Sequence, residues 1–181
     1  MNAIAFLELS SIAKGMEAAD AIIKTAETEL LFARASCPGK YYILFSGEVA
    51  AVSASLDAGA AWAEGFLVDS CLIPRVHPQV AAAIHQTAEP AAYGAVGVME
   101  FYSVTAAIYA ADAAVKAAAV DLIELRLATG IGGKSFAVVV GEVAAVRAAV
   151  DAGIASREAD GFVLAHCVIP SPVPELFEMI G

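Results

Sequence analysis

Gly47-Glu48-Val49-Ala50-Ala51-Val52 returns, residue for residue, as Gly141-Glu142-Val143-Ala144-Ala145-Val146. A repeat of that kind dictates how the rest of the chain is read. Upstream, Ala3-Ile4-Ala5-Phe6-Leu7-Glu8 aligns with Ala95-Val96-Gly97-Val98-Met99-Glu100, and Asp20 and Lys24 align with Asp112 and Lys116, all at an offset of 92. From Gly39-Lys40 on Gly133-Lys134 to Asp57-Ala58-Gly59 on Asp151-Ala152-Gly153 the offset is 94. A further insertion near Arg157–Asp160 makes it 96, which pairs Gly65-Phe66, Cys71 and Pro74 with Gly161-Phe162, Cys167 and Pro170. The shifts fall at loops or element ends, where insertions are tolerated.

Each copy reads β-α-β-β-α-β. Ala3–Leu9 is an apolar run with one acid, and Ile12, Met16, Ala19, Ile23 and Ala26 recur at helical spacing after Ser10 or Ser11 as N-cap. Glu29–Ala35 and Tyr41–Phe45 flank a Cys-Pro-Gly loop and predict a hairpin. Gly47 opens an alanine-rich helix through Ala63, and Phe66–Ile73 is a fourth strand stopped by Pro74. The pattern repeats from Ala95 to Ile169. Val76–Ala92 is read as the linker, with a short helix at Gln79–His85. The expected fold is α+β and ferredoxin-like, with two tandem domains at 1–90 and 91–181. A single such unit leaves a sheet face or edge to cover, so two would pack about a pseudo-twofold or as successive positions of a ring.

The 181 residues, 60% hydrophobic, suffice for a sizeable core. Mean hydropathy is high at +0.73, yet no run approaches the roughly 18 unbroken apolar residues of a membrane span. Met1-Asn2-Ala3 lacks the basic start of a signal peptide, so a cytosolic, non-membrane protein is expected. A net charge of −10 with ten Lys and Arg excludes nucleic acid as the expected partner. Cys37, Cys71 and Cys167 are read as thiols, not as a disulfide framework. The small apolar surface suggests cover by neighbouring subunits.

Several residues invite chemistry. Gly130-Ile131-Gly132-Gly133-Lys134-Ser135 is not a phosphate loop: Ala128 stands where that motif needs glycine, and the stretch joins two strands instead of opening a helix. His77, His85 and His166 have no metal-ligand spacing and are read as surface or linker residues. Glu8 and Glu100, each in an apolar strand, require structural partners. Cys71 and Cys167 hold the same place in the last strand of each copy and are expected in the core. Lys24 and Lys116 close the first helix of each copy, where a cation suits the helix dipole.

Glu8, Ala19-Asp20-x-x-x-Lys24, Gly47-Glu48-Val49 and Ile73-Pro74-Arg75-x-His77-Pro78 together resemble the bacterial microcompartment shell domain, unpermuted and in tandem. With Leu9-Ser10-Ser11-Ile12-Ala13-Lys14-Gly15-Met16-Glu17, Cys37-Pro38-Gly39-Lys40 and the Gly130–Lys134 loop, the chain resembles tandem shell proteins that carry an iron–sulfur cluster at a trimer centre. The second copy departs from the family in having Pro170-Ser171-Pro172, where an arginine usually follows the proline. The resemblance implies a non-enzymatic shell tile: a homotrimer forming a pseudo-hexagon that joins other microcompartment shell proteins, with a redox enzyme as a possible partner. It also implies a pore rim of Ser36, Pro38, Gly39, Thr129, Gly130, Ile131 and Gly132, and tile-edge contacts through Lys24, Lys116 and Arg75. Cys37 from three chains would hold an iron–sulfur cluster, [4Fe–4S] by its chemistry, since three thiolates fill three of the usual four ligand positions. The alternatives are the same tile with a metabolite-conducting pore and no cluster, and a cytosolic ferredoxin-like ligand-sensing regulator.

Overall fold

The computed structural model describes residues 2–85, 88, 94–178 and 180. The chain divides into two compact units, 1–76 and 77–181. The expected domain boundary at 90/91 lies outside the described residues, and the segment from His77 belongs to the second unit.

In the first unit, β1 (Ala3–Leu9), α1 (Ile12–Thr25), β2 (Thr28–Ser36), β3 (Lys40–Gly47), α2 (Val49–Ala63) and β4 (Leu67–Pro74) follow in order, with a 3-10 turn at Glu64–Phe66 before the last strand. The sheet order is β2-β3-β1-β4, antiparallel throughout. That is the ferredoxin-like arrangement expected from the element order. The Ser11 hydroxyl caps α1 by accepting from Lys14 N–H at 3.3 Å. Gly15, Ala18, Ala19 and Ile22 face inward, the spacing of one helical stripe. They meet Ala3, Ala5, Leu7, Leu9, Ile43 and Phe45 from the sheet and Val52 and Ala63 from α2. The Ser55 hydroxyl, fully buried, donates to the Ile22 carbonyl at 2.9 Å and ties the two helices.

The second unit repeats this with β5 (Ala95–Phe101), α4 (Val104–Ala117), β6 (Val120–Leu127), β7 (Ser135–Gly141), α5 (Val143–Ile154) and β8 (Val163–Ile169), in the order β6-β7-β5-β8. It adds α3 (Pro78–Ile84) in front and α6 (Pro174–Phe177) behind. The short helix expected at Gln79–His85 is therefore present and begins one residue earlier, on Pro78. Cys167 departs from expectation. It pairs with Val98 as Cys71 pairs with Phe6, but Cys71 is buried and Cys167 exposed. Beside Cys71 the rings of Phe6 and Tyr42 pack with centroids 5.4 Å apart. Beside Cys167 stands the smaller, half-buried Val98, so an equivalent register does not bring equivalent cover.

The two cores fill the contact between the first helix and the third strand with different residues. A Cβ on Gly15 would lie 2.4–2.5 Å from the Tyr41 side chain, whereas the equivalent pair in the second unit is Ala107 and Ser135. Gly15→Ala should therefore destabilise the first unit by about 1–3 kcal/mol through overpacking, against the helix preference for alanine of about 1 kcal/mol. Urea denaturation checks this; a raised midpoint would contradict the packing.

Candidate functional site

The β2–β3 connection is a tight loop. Ala35 pairs with Tyr41 and Ser36 with Lys40, leaving Cys37-Pro38-Gly39 at the tip. The Cys37–Pro38 peptide is cis, and Gly39 adopts φ +86° while its N–H donates to the Ser36 carbonyl at 2.9 Å. That left-handed conformation disfavours any side chain at 39. Cys37 is exposed there. Among the described residues no three His, Cys, Asp or Glu side chains cluster closely enough to hold a metal ion.

The equivalent loop of the second unit runs from 128 to 134, between the paired residues Leu127 and Ser135, and is two residues longer than its counterpart between Ala35 and Tyr41. Ala128, Gly130, Gly132 and Gly133 all have positive φ. Thr129 N–H donates to the Leu127 carbonyl at 2.6 Å and Lys134 N–H to that of Ile131 at 3.4 Å. Gly130, Gly132 and Gly39 have nothing within 4 Å of where a Cβ would stand, so these tips are open and poor in side chains.

Both loops are anchored at the base in the same way. Glu8, buried in β1, accepts from the Lys40 ammonium. Glu100 in β5 accepts from Lys134 at 2.5 Å. The partner each carboxylate requires is thus the lysine of the Gly-Lys pair that ends its loop. Burial pushes the Tyr42 phenol up to about 12, aided by the Glu8 charge. Burial, with Asp69 nearby, likewise pushes the Cys71 thiol up to about 12.

Lys24 and Lys116 sit in the last turns of α1 and α4, as expected, each paired with the acid one turn earlier. Lys24 meets Asp20 at 2.5 Å with both side chains exposed. Lys116 meets Asp112, whose carboxylate is buried and also accepts the His77 N–H at 2.8 Å. Arg75 is exposed at φ +52°, its N–H donating to the Asn2 carbonyl at 2.5 Å. His77, which sequence reasoning left as a linker residue, caps α3: its Nδ1 accepts from Gln79 N–H at 3.4 Å. No helix among the described residues is long and apolar enough to cross a membrane.

Two four-stranded ferredoxin-like units in tandem match a known family. The BMC domain family matches residues 3–76 and again 95–172, and the chain belongs to it, as a tandem bacterial microcompartment shell protein. It is 44% identical over 171 residues to the bacterial microcompartment shell protein PduT of Citrobacter freundii, covering 94% of this chain and 93% of that protein. A crystal structure of a microcompartment protein from Desulfitobacterium hafniense DCB superposes with a TM-score of 0.93 at 43% identity, over 98% of this chain and 99% of the other. The shell protein EutM of Salmonella typhimurium is 41% identical over 85 residues, 47% of this chain but 86% of its own length. Half of this chain thus corresponds to nearly a whole shell protein, as the duplication requires.

Lys40→Ala strands a buried carboxylate and should cost about 1–3 kcal/mol, whereas Lys24→Ala, in an exposed pair, should cost less than about 1 kcal/mol. Denaturation midpoints decide between them. Equal losses would contradict the burial of Glu8. The raised Cys71 and Tyr42 groups favour their neutral forms in the fold. Their stabilisation is complete below the unfolded values, 9 for the thiol and 10 for the phenol, and is lost as pH rises toward about 12. Stability measured from pH 8 to 11 should fall above 9, less steeply in Cys71→Ala; identical slopes would contradict the buried thiol.

Proposed function

We propose that this chain is a structural tile of a bacterial microcompartment shell, three copies forming a pseudo-hexagon with an iron–sulfur cluster at its centre. The observation that carries the reading is Cys37, an exposed thiol on a tight loop whose base is clamped to the sheet by Lys40 and Glu8. One chain offers one such ligand, and no set of three forms within it among the described residues. A cluster would therefore draw on Cys37 of three copies. That donor set suits [4Fe–4S], leaving one iron open to solvent or a small ligand. When bound, such a group supplies one-electron transfer, which at a shell pore means electron passage, or cluster delivery, between cytosol and lumen to a redox enzyme.

The chain's own residues do the positioning. Gly39, at positive φ, closes the turn that holds the thiol at the loop tip, and Gly130 and Gly132 leave the rest of the rim open around Thr129 and Ile131. Lys24, Lys116 and Arg75 serve as tile-edge contacts with other shell proteins. The tile acts as a partition and conduit, not as a catalyst.

Anaerobic reconstitution followed by iron analysis should give one cluster for every three chains. Cys37→Ala should lose essentially all bound iron with the fold intact, whereas Cys71→Ala should keep the iron and lose about 1–2 kcal/mol of stability. Iron retained by Cys37→Ala would overturn the cluster and favour a metabolite pore. Lys24→Ala with Lys116→Ala should leave the fold unchanged and prevent two-dimensional sheets in electron micrographs; unaltered sheets would remove these lysines from the tile edge.

A further inference from the structure

The loop that carries Cys37 is backed by two hydroxyls that its counterpart lacks. Tyr42 lies in β3 between Glu8 of β1 and Arg34 of β2, its register partners on either side. It is buried, and its ring packs on Phe6 with centroids 5.4 Å apart and planes tilted by 56°. The phenol hydroxyl is hydrogen-bonded to the Ser36 side chain. Ser36 pairs with Lys40 where the hairpin closes, and the next residue is Cys37. A charge on the Cys37 sulfur acts on the phenol as well. The three side chains therefore stand together at the loop end of the sheet, with the thiol exposed, Ser36 half-buried and Tyr42 buried.

The second unit separates what belongs to the fold from what belongs to the thiol. Strand β6 aligns with β2 at an offset of 92, and β7 with β3 at 94. Glu100 and Lys134 then repeat Glu8 and Lys40, and Arg126 repeats Arg34. Phe136, the register partner of Glu100 and Arg126, stands for Tyr42 and has no hydroxyl. Ala128 stands for Ser36, and Thr129 for Cys37. The ion pair that anchors the loop is thus kept in both units, while both hydroxyls disappear together with the cysteine. For packing alone a ring suffices at this place, as Phe136 demonstrates. The Tyr42–Ser36 pair goes with the sulfur.

We propose that Tyr42 and Ser36 form a two-hydroxyl relay that donates a hydrogen bond to the Cys37 sulfur, which makes Tyr42 a positioning residue for the potential of the iron–sulfur cluster. The inference deepens the cluster reading and rests on it. The phenol gives its one proton to the Ser36 oxygen, and that hydroxyl, with two lone pairs and one proton of its own, turns its proton to the sulfur. Hydroxyls linked in this way polarise one another, so the outer hydrogen bond is stronger than a serine alone would make. Hydrogen bonds to the sulfurs are among the levers that set a cluster's potential. They favour the form that carries more negative charge, which is the reduced one, so the relay raises the potential. Adding the electron makes and breaks no bond at Cys37 and moves no proton along the relay. Three copies bring three such hydrogen bonds to one cluster.

Potentiometric titration of the anaerobically reconstituted chain tests it, with dithionite as reductant and electron paramagnetic resonance as the readout. Tyr42→Phe removes one oxygen and keeps the ring on Phe6. It should leave the iron content and the circular dichroism spectrum at wild-type values and shift the midpoint potential downward. Ser36→Ala should shift it downward at least as far. The double variant should go no further than Ser36→Ala alone, because the tyrosine acts only through the serine. An unchanged potential in either single variant, or a double variant shifted by the sum of the two, overturns the relay and leaves the cluster reading in place. A wild-type chain that takes up no iron overturns both.

Discussion

A carboxylate placed in an apolar strand must be answered by a cation, and in each unit that requirement fixes the base of the loop between the second and third strands. Glu8 in the interior strand β1 takes Lys40 from the first position of β3. Glu100 and Lys134 do the same for β5 and the end of the glycine loop. Removing charge from both residues of such a pair can be tolerated energetically, while removing one partner is not. The pair also fixes where the hairpin ends. With Lys40 anchored, only Cys37-Pro38-Gly39 project beyond the ladder, and the thiol has no way back into the core.

Duplication explains the architecture, and the two copies depart from each other at particular positions. The first loop is short and bears the cysteine; the second is two residues longer, glycine-rich and without a thiol. The Gly15–Tyr41 pair is replaced by Ala107–Ser135, which adds a methyl to the helix and removes a whole ring from the strand. Asp112 and Lys116 kept the ion pair of Asp20 and Lys24, but Asp112 also accepts the backbone of His77 and so fixes the start of α3. A helix-end pair that is a free surface feature in one unit is a packing feature in the other.

Most of the fold was legible because both periodicities are strong and the repeat supplied two readings of each element. Ala3–Leu9 was placed to the residue, and helix α1 was given by the spacing of Ile12, Met16 and Ile23 after Ser11. The Glu8–Lys40 partnership is half legible: the acid demands a partner and the Gly-Lys pair recurs in the sequence, but only the β1–β3 register joins them. Cys167 is exposed where its repeat partner Cys71 is buried, because repeat alignment fixes register and not cover. What lies over a sheet face depends on residues far away in sequence, here Phe6 and Tyr42 in one unit against Val98 in the other. The capping role of His77 was invisible for a similar reason, since a linker histidine carries no signal until the helix behind it is seen to start on Pro78.

We propose a closed assembly in which Cys37 of each copy meets its equivalents. Native mass spectrometry of anaerobically reconstituted protein weighs that assembly with its contents in one measurement. The expected result is a single species of three chains with the added mass of one cluster. A monomer or dimer, or a trimer whose mass is protein alone under reconstituting conditions, would contradict it.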